Sequence, residues 1–239
     1  QAQGIEVNPV VVSATRMEQP LSEVLSSVSV ITRQDIEKSQ APSLADLLQG
    51  EAGFEFGRNG GLGAVTSFFL RGQDSTNMVI MVDGVRTQID SIGALTMTDM
   101  PLSQIERIEV LRGNAGALYG ESAIGGVIHI FTRKGKGIPA AYGSVSYGSR
   151  NTSQINAGYG GESGDYSFDL NLGRTGTDGF SAKMPATGIN PDKDGASSEY
   201  GAAKIEKKMN GNLTVGVRLL TKSNKTDYDA SGLVTDTHQ

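Results

Sequence analysis

Hydrophobic and polar positions form two patterns along this chain, and the change falls near Lys134. Before that point, short helical patterns alternate with short apolar runs of the kind found in buried strands. Val28, Val30 and Thr32 alternate with polar neighbours, which predicts a strand that ends at Thr32.

Two helix starts are predicted from capping sequences. Thr32 is followed three residues later by Asp35, which is the arrangement of a capping box, and Ser43 and Asp46 repeat it. We expect the second helix to end at Gly50, with this glycine at the C′ position.

Further apolar runs predict strands, and the dipeptide Asp83-Gly84 predicts a tight turn between two of them. The predicted strands are 67–71, 77–82, 105–111 and 126–132. The pattern therefore predicts an α+β domain over residues 19–134, preceded by an N-terminal tail over residues 1–18.

After Lys134, apolar residues alternate with polar residues or glycine, and turn sequences separate the segments. The alternating sets are Val145 and Tyr147; Ile155, Ala157 and Tyr159; Tyr166, Phe168, Leu170 and Leu172; and Leu213, Val215, Val217 and Leu219. Transmembrane barrel strands share this period with soluble sheets that bury one face, so periodicity leaves both open. The turns alternate between short and long, which favours a barrel.

Residues 135–239 provide about five such strands, which are too few to close a membrane barrel. An open edge in lipid would leave backbone groups unpaired. We therefore expect an incomplete barrel, completed by a C-terminal remainder of the same protein or by a companion chain.

Composition excludes several classes of protein. The net charge of −5 argues against nucleic acid as the main partner, and the absence of Cys excludes disulfides and thiolate metal sites. The longest apolar run is Met78 to Val82, too short for a transmembrane helix. The start at Gln1 has no charged or apolar leader segment, so we expect a processed N-terminus.

No arrangement of residues predicts an enzyme. His129 lies inside a strand pattern, and His238 lies near the end of the sequence, without a Ser-His-Asp arrangement. Glu106 and Glu109 lie on one predicted strand with their side chains on opposite faces, so we expect salt bridges from them.

The first 134 residues contain five further stretches: NPVVVSATR (8–16), FFLRG (68–72), VIMVDGVR (79–86), IERIEVLRG (105–113) and ALYGESAIGGVIHIFTR (117–133). Together they resemble the plug domain of TonB-dependent outer-membrane receptors, in the family's order. The resemblance implies an α+β plug domain followed by antiparallel transmembrane β-barrel strands. It also implies location in the outer membrane of a Gram-negative bacterium, in contact with its lipid.

The stretch near the N-terminus holds β-branched residues outside any predicted element, and without the resemblance it would be an ordinary disordered tail. In the family, this position is the TonB box, which binds the periplasmic protein TonB by adding a strand. The resemblance places the box at Pro9, Val10, Val11, Val12, Ser13 and Ala14.

Arg71 and Arg112 each precede a glycine at the end of an apolar strand. The resemblance implies that they form an ionic latch with glutamates of the barrel, which we expect beyond Gln239. A guanidinium paired with a carboxylate suits that role.

Two polar loops, 58–67 and 87–99, occupy the positions at which the family's plug meets its substrate. The sequence RNGGLG in the first loop lacks the Lys-Ser/Thr of a nucleotide-binding loop. The implied substrate-binding residues are Ala64, Val65, Thr66, Ser67, Ser91, Ile92 and Gly93.

Aspartates recur around the last two long loops, and by themselves they are typical of ordinary turns. If they converge, their charges repel unless a cation binds, and hard oxygen ligands favour calcium. Their spacing resembles that of the cobalamin-transporting members of the family. The calcium ligands implied by this resemblance are Asp178, Asp192, Asp194, Tyr228, Asp229 and Asp236.

The resemblance implies TonB-dependent uptake of cobalamin or a related corrinoid, with TonB and the cargo as partners. A ferric-siderophore or haem receptor of the same family is the alternative, because the plug is shared among substrates. A phage- or colicin-docking or adhesion protein is a further alternative from a different class.

Overall fold

The computed structural model describes residues 10–11, 19–20, 27–58, 60–64, 66–74, 77–87, 100–113, 116–120, 123–181, 193–209, 213–229 and 236–238. The chain divides into two units. The first comprises residues 1–57 and 66–132, and the second comprises residues 58–65 and 133–239.

The first half of the chain alternates short strands with short helices, as its pattern predicts. The described elements are β1 (Val10–Val11), β2 (Gln19–Pro20), β3 (Ser27–Thr32), α1 (Arg33–Ser39), α2 (Leu44–Gln49), β4 (Phe54–Arg58), β5 (Thr66–Leu70), β6 (Gln73–Asp74), β7 (Met78–Val82), β8 (Val85–Arg86), a 3-10 helix (Leu102–Gln104), β9 (Ile105–Arg112), α3 (Gly116–Tyr119) and β10 (Gly126–Thr132). The predicted strands differ from β5, β7, β9 and β10 by one residue at most.

The main sheet of the first unit has the described strand order β3-β9-β10-β7-β8. β10 is parallel to β7 and antiparallel to β9. Side chains are buried on both faces: Ile128 and Ile130 contribute to one apolar cluster, and Val127 contributes to the other. This burial on both sides explains why β7 and β10 are nearly continuous apolar runs in the sequence.

Both predicted helix starts are confirmed. The Thr32 side chain accepts a hydrogen bond from the Asp35 backbone N–H, and the Asp35 carboxylate accepts one from the Thr32 N–H, which completes the capping box. The hydrogen bonds from Thr32 lower the pKa of Asp35 because they favour the ionised carboxylate. The Ser43 side chain likewise accepts a hydrogen bond from the Asp46 N–H.

The predicted position of Gly50 at C′ is wrong, because Gly50 is the C-cap residue itself. Gly50 caps α2 with φ −69°, a right-handed conformation, and its N–H donates to the Leu47 and Leu48 carbonyls. The helix therefore ends without the left-handed C′ residue that glycine usually supplies. The Asp83-Gly84 turn is confirmed, since both residues have positive φ angles, 48° and 84°.

The described strands of the second unit form one antiparallel sheet in sequence order. They are β11 (Ala140–Tyr147), β12 (Ser153–Ser163), β13 (Tyr166–Thr177), β14 (Ala196–Lys208), β15 (Thr214–Asp229) and β16 (Asp236–His238). About five strands were expected, and β16 is a short addition at the edge. β14 carries no regular apolar alternation, which is why the sequence pattern does not mark it individually.

The two faces of this second sheet differ in chemistry. Register places Leu219, Ala203, Leu170 and Tyr159 in one row across four strands, and large apolar side chains on this face are exposed. The neighbouring row, on the opposite face, contains Leu220, Ala202, Asn171, Gly158 and Tyr142. Two positions further along, the row on this opposite face contains Gly160, Asp169, Lys204 and Arg218, so the face opposite the exposed apolar one is mainly polar. Separately, no helix in the described part of the chain is long and apolar enough to cross a membrane.

Candidate functional sites

The predicted N-terminal box is only partly described. Val10 and Val11 form β1, which pairs antiparallel with β2 so that Val10 lies opposite Pro20 and Val11 opposite Gln19. Pro9, Val12, Ser13 and Ala14 lie outside the described residues. The backbone at Val10 and Val11 is extended, which is the conformation that strand addition requires.

The side chain of Arg112 is mostly buried and has partners within the first unit. Its Nη2 lies 2.8 Å from Glu51 Oε2, and its Nε donates to the Ala52 carbonyl at 2.9 Å. The Ser29 hydroxyl donates to the same Glu51 oxygen at 2.7 Å. The sequence analysis did not identify Glu51, because no motif connects residues 61 positions apart.

Arg71 lies at the same corner of the first unit. Its backbone is left-handed, with φ 52°, and its N–H donates to the Gly53 carbonyl at 2.8 Å. A Cβ atom placed on Gly113 would lie 4.0 Å from an Arg71 guanidinium nitrogen. The two arginines are therefore neighbours, and their pairing with glutamates of the barrel stays a prediction.

The first predicted substrate loop is described over residues 60–64, which belong to the second unit. The loop packs against strands of its own unit, since a Cβ atom on Gly63 would lie 3.0 Å from Ala196 Cβ and 3.1 Å from Thr226 Oγ1. Ala64 is partly exposed, and its N–H donates to the Gly61 carbonyl at 3.2 Å.

The other implied substrate-binding residues are divided between described and undescribed parts of the chain. Thr66 is buried at the start of β5, and Ser67 beside it is exposed. Val65, Ser91, Ile92 and Gly93 lie outside the described residues.

Three carboxylates lie around one end of the second sheet. Asp178 accepts a hydrogen bond from the Asn151 amide at 2.8 Å, and Lys193 Nζ lies 3.6 Å from the same carboxylate. Asp194 is buried. Asp227 donates its backbone N–H to the Gly195 carbonyl at 2.9 Å, which holds β15 against the segment that follows Asp194.

An open cleft of about 400 Å³ lies between these residues. Its lining includes Thr177, Asp178, Lys193, Ser197, Lys225 and Asp227. The sequence analysis missed Asp227, although TDYD places Asp227 and Asp229 two residues apart and therefore on the same face of a strand. Lys193 and Lys225 partly balance the carboxylates of this cleft.

The remaining predicted calcium ligands are described only by their backbone or not at all. Asp229 and Asp236 are directly opposite each other in the β15–β16 register, and Tyr228 is opposite Thr237. Asp192 lies outside the described residues. Within the described part of the chain, no three His, Cys, Asp or Glu side chains are placed to hold a metal ion.

His129 has a structural environment in the main sheet of the first unit. Its Nε2 accepts a hydrogen bond from the Gly84 N–H at 3.0 Å, so this side chain fixes the turn between β7 and β8. Burial lowers the pKa of His129 because it disfavours the charged imidazolium. The neutral ring is the form that accepts this hydrogen bond.

Comparison with known proteins relates both units to one class of receptor. The model of the family "TonB-dependent Receptor Plug Domain" matches residues 20–127. The "Vitamin B12 transporter BtuB" of Vibrio vulnificus (strain CMCP6) is 35% identical over 238 residues, which cover 97% of this chain and 38% of the transporter. This chain therefore spans well under half the length of that relative.

Solved structures show the same fold. The pyoverdine outer membrane receptor FpvA of Pseudomonas aeruginosa PAO1, bound to pyoverdine, gives a TM-score of 0.76 at 18% identity over 91% of this chain and 30% of that receptor. The siderophore receptor PirA of Acinetobacter baumannii gives a TM-score of 0.65 at 25% identity over 87% of this chain and 32% of that receptor. The likeness extends over the α+β domain and the strands that follow it.

Proposed function

We propose that this chain, which belongs to the family of TonB-dependent receptors, serves the TonB-dependent uptake of cobalamin or a related corrinoid across the outer membrane. It consists of an α+β plug domain followed by part of an antiparallel β-barrel. The observation that carries the proposal is the 35% identity to a vitamin B12 transporter over 97% of this chain. The cargo and the partners of the whole protein are part of the proposal, because the chain spans 38% of that transporter.

TonB is the proposed partner on the periplasmic side, and the N-terminal strand is its proposed binding site. In support, Val10 and Val11 are extended and already pair as a strand in β1. Backbone hydrogen bonds to an added strand supply affinity, while the side chains supply specificity. Cargo binding is proposed to shift this segment towards the form that TonB binds, which requires that the cargo favour that form.

Calcium is the proposed ion at the rim of the barrel sheet, with Asp178, Asp192, Asp194, Tyr228, Asp229 and Asp236 as the proposed ligands and Asp227 as a further candidate. The donor chemistry fits, since carboxylate oxygens are what calcium prefers. The opposition of Asp229 and Asp236 in register supports the fit as well. Calcium would supply positive charge that offsets the repulsion between carboxylates.

The energetic reason for an ion is the cost of crowded carboxylates. Two like charges ~4 Å apart repel by about 4 kcal/mol at an effective dielectric constant near 20. Without a cation, the loops at this rim must separate their aspartates. Loops that are ordered before the cargo arrives do not lose conformational entropy on binding, so cargo affinity is expected to rise with calcium.

The test is the affinity of the intact receptor for cobalamin in millimolar calcium and in excess chelator. We expect tighter binding in calcium, and we expect Asp194→Ala to weaken binding by about tenfold in calcium but little in chelator. Asp165→Ala is the matched control, because Asp165 is an exposed aspartate in the turn at the other end of the same sheet. Equal affinities in calcium and in chelator would refute the calcium site.

A ferric-siderophore receptor is the second candidate function, and the structural similarity to the siderophore receptor PirA favours it. Binding of cobalamin and of ferric siderophores to the same receptor preparation separates the two functions. Siderophore binding without cobalamin binding would replace the proposed cargo and leave the assignment to the family intact.

A further inference from the structure

Residues 133–139 contact the strands that follow them through a cation on an aromatic ring, close backbone packing and a hydrogen bond. We call residues 133–139 the strap; they lie between β10 and β11 and belong to the second unit. We propose that Tyr142 and Asp169 form a seat for Arg133, and that this seat anchors the strap to the first barrel strands. The consequence drawn below for transport rests on the proposed function, but the anchor itself does not.

In the seat, Tyr142 contacts the cation with its ring and the buried carboxylate with its hydroxyl. The Arg133 guanidinium lies over the Tyr142 ring, 3.8 Å from its centroid. The Tyr142 hydroxyl lies 2.8 Å from both oxygens of Asp169, whose side chain is buried in β13. The hydroxyl donates to that carboxylate, so the phenol links the negative Asp169 to the positive Arg133. A cation on an aromatic face is a favourable contact.

Two glycines of β12 provide the space that the seat occupies. Gly158 is directly opposite Tyr142 in the register, and a Cβ atom there would lie 2.2 Å from Tyr142 Cζ. A Cβ atom on Gly160 would lie 2.6 Å from Asp169 Oδ2. Any larger residue at either position would displace the phenol or the carboxylate, so the seat requires glycine at both.

The strap backbone also lies directly on β12 and β13. A Cβ atom on Gly135 would lie 2.1 Å from the Phe168 carbonyl oxygen and 2.2 Å from the Gly161 carbonyl oxygen. The Glu162 N–H donates to the Gly137 carbonyl at 2.7 Å. The strap is therefore fixed by backbone contacts as well as by the side chain of Arg133.

The residue before the strap is fixed within the plug. The Thr132 N–H donates to Asp83 Oδ1 at 2.9 Å, and the Thr132 hydroxyl donates to the other oxygen of the same carboxylate. One peptide bond separates Thr132 from Arg133, and successive Cα atoms are only about 3.8 Å apart. Arg133, the first residue of the strap, therefore directly follows a residue that is hydrogen-bonded within the plug.

It follows that the strap is held on β12 and β13 of its own unit. If TonB pulls on the N-terminal strand, as proposed, the strap is expected to stay on β12 and β13 while the pull acts. Tyr142, Asp169, Gly158 and Gly160 are then positioning residues for transport, which act by holding the strap.

The anchor can be tested by hydrogen exchange on the intact receptor, without cargo. In Tyr142→Leu we expect amide exchange at residues 135–138 and at Glu162 to rise on the order of tenfold, with exchange in β14 unchanged. Tyr142→Phe keeps the ring but loses the hydroxyl, so its effect should be intermediate. Tyr159→Leu is the control, because Tyr159 lies on the opposite face of β12.

Arg133→Gln is a second variant, which removes the cation and leaves every residue of the sheet unchanged. The anchor can therefore be tested even if the Tyr142→Leu receptor fails to fold. Faster exchange confined to the strap and Glu162 supports the anchor. Unchanged exchange at the strap, an equal rise in β14, or the same effect from Tyr159→Leu overturns it. Cobalamin binding by the unmodified receptor is measured in a separate experiment. Its failure would contradict the proposed cargo and would not affect the exchange result that tests the anchor.

Discussion

The salt bridge of Glu109 could be predicted from the sequence, but the aromatic ring beside its partner could not. The Glu109 side chain is fully buried, and its carboxylate lies 3.0 Å from Arg107 Nε, so the salt bridge expected from the sequence is confirmed. The alternation of a strand places Arg107 and Glu109 on one face. The sequence does not show that the Arg107 guanidinium also lies 3.7 Å from the centroid of the Phe131 ring on the neighbouring strand.

The Arg107–Glu109 pair leads to a prediction for plug stability. Arg107→Ala removes both the ion pair and the contact with Phe131 and leaves a buried carboxylate without this cation, so we expect a loss of about 3 kcal/mol. Arg107→Lys keeps the charge but loses the planar stack, so its loss should be smaller. The free energy of opening, measured by hydrogen exchange at the amides of β9 and β10 in the intact receptor, checks both values. Equal values for the two variants would show that the stack contributes nothing.

At the scale of elements, the sequence predicted β3, β5, β7, β9 and β10 and both helix starts, because these depend on residues only two to four positions apart. It did not mark β14 individually, since its sequence ASSEYGAAKIEKK lacks a regular apolar alternation. β14 is a strand because it pairs along its whole length with β13 and β15. Its partners in the sheet thus override a weak local pattern.

Two adjacent leucines of β15 provide a matched pair for testing which face of the second sheet contacts lipid. Leu219 shares its face with Leu170 and Tyr159, whereas Leu220 shares the opposite face with Asn171. We expect Leu219→Lys to destabilise the folded receptor in lipid vesicles by about 2–4 kcal/mol, because a lysine faces hydrocarbon there. Leu220→Lys should cost much less. A urea titration of both variants measures the difference, and equal costs would contradict the assignment of the faces.

At the scale of the whole molecule, cargo binding and coupling to TonB are proposed for different parts of the chain. The proposed calcium ligands lie around the last long loops, whereas β1 lies near the N-terminus. A change in β1 is therefore expected to affect transport without affecting cargo binding.

Val11→Pro tests this separation. Proline lacks the N–H that a strand donates to its partner, so the variant should bind TonB weakly and transport no cobalamin. Its affinity for cobalamin should equal that of the unmodified receptor. Val11→Ala keeps the N–H and serves as the control. Normal uptake by Val11→Pro would remove Val11 from the TonB-binding segment.

The sequence by itself determined the family, the main plug strands, both helix starts and the change of pattern near Lys134. Caps, tight turns and strand alternation act between near neighbours, and the plug motifs stand in a fixed order along the chain. Tertiary structure decided which distant groups meet. Arg112 bonds to Glu51, 61 residues away, and the Tyr142 hydroxyl bonds to Asp169, 27 residues away. Such pairs depend on which strands and turns lie next to each other in the fold, and the local alternation of apolar and polar residues does not specify that.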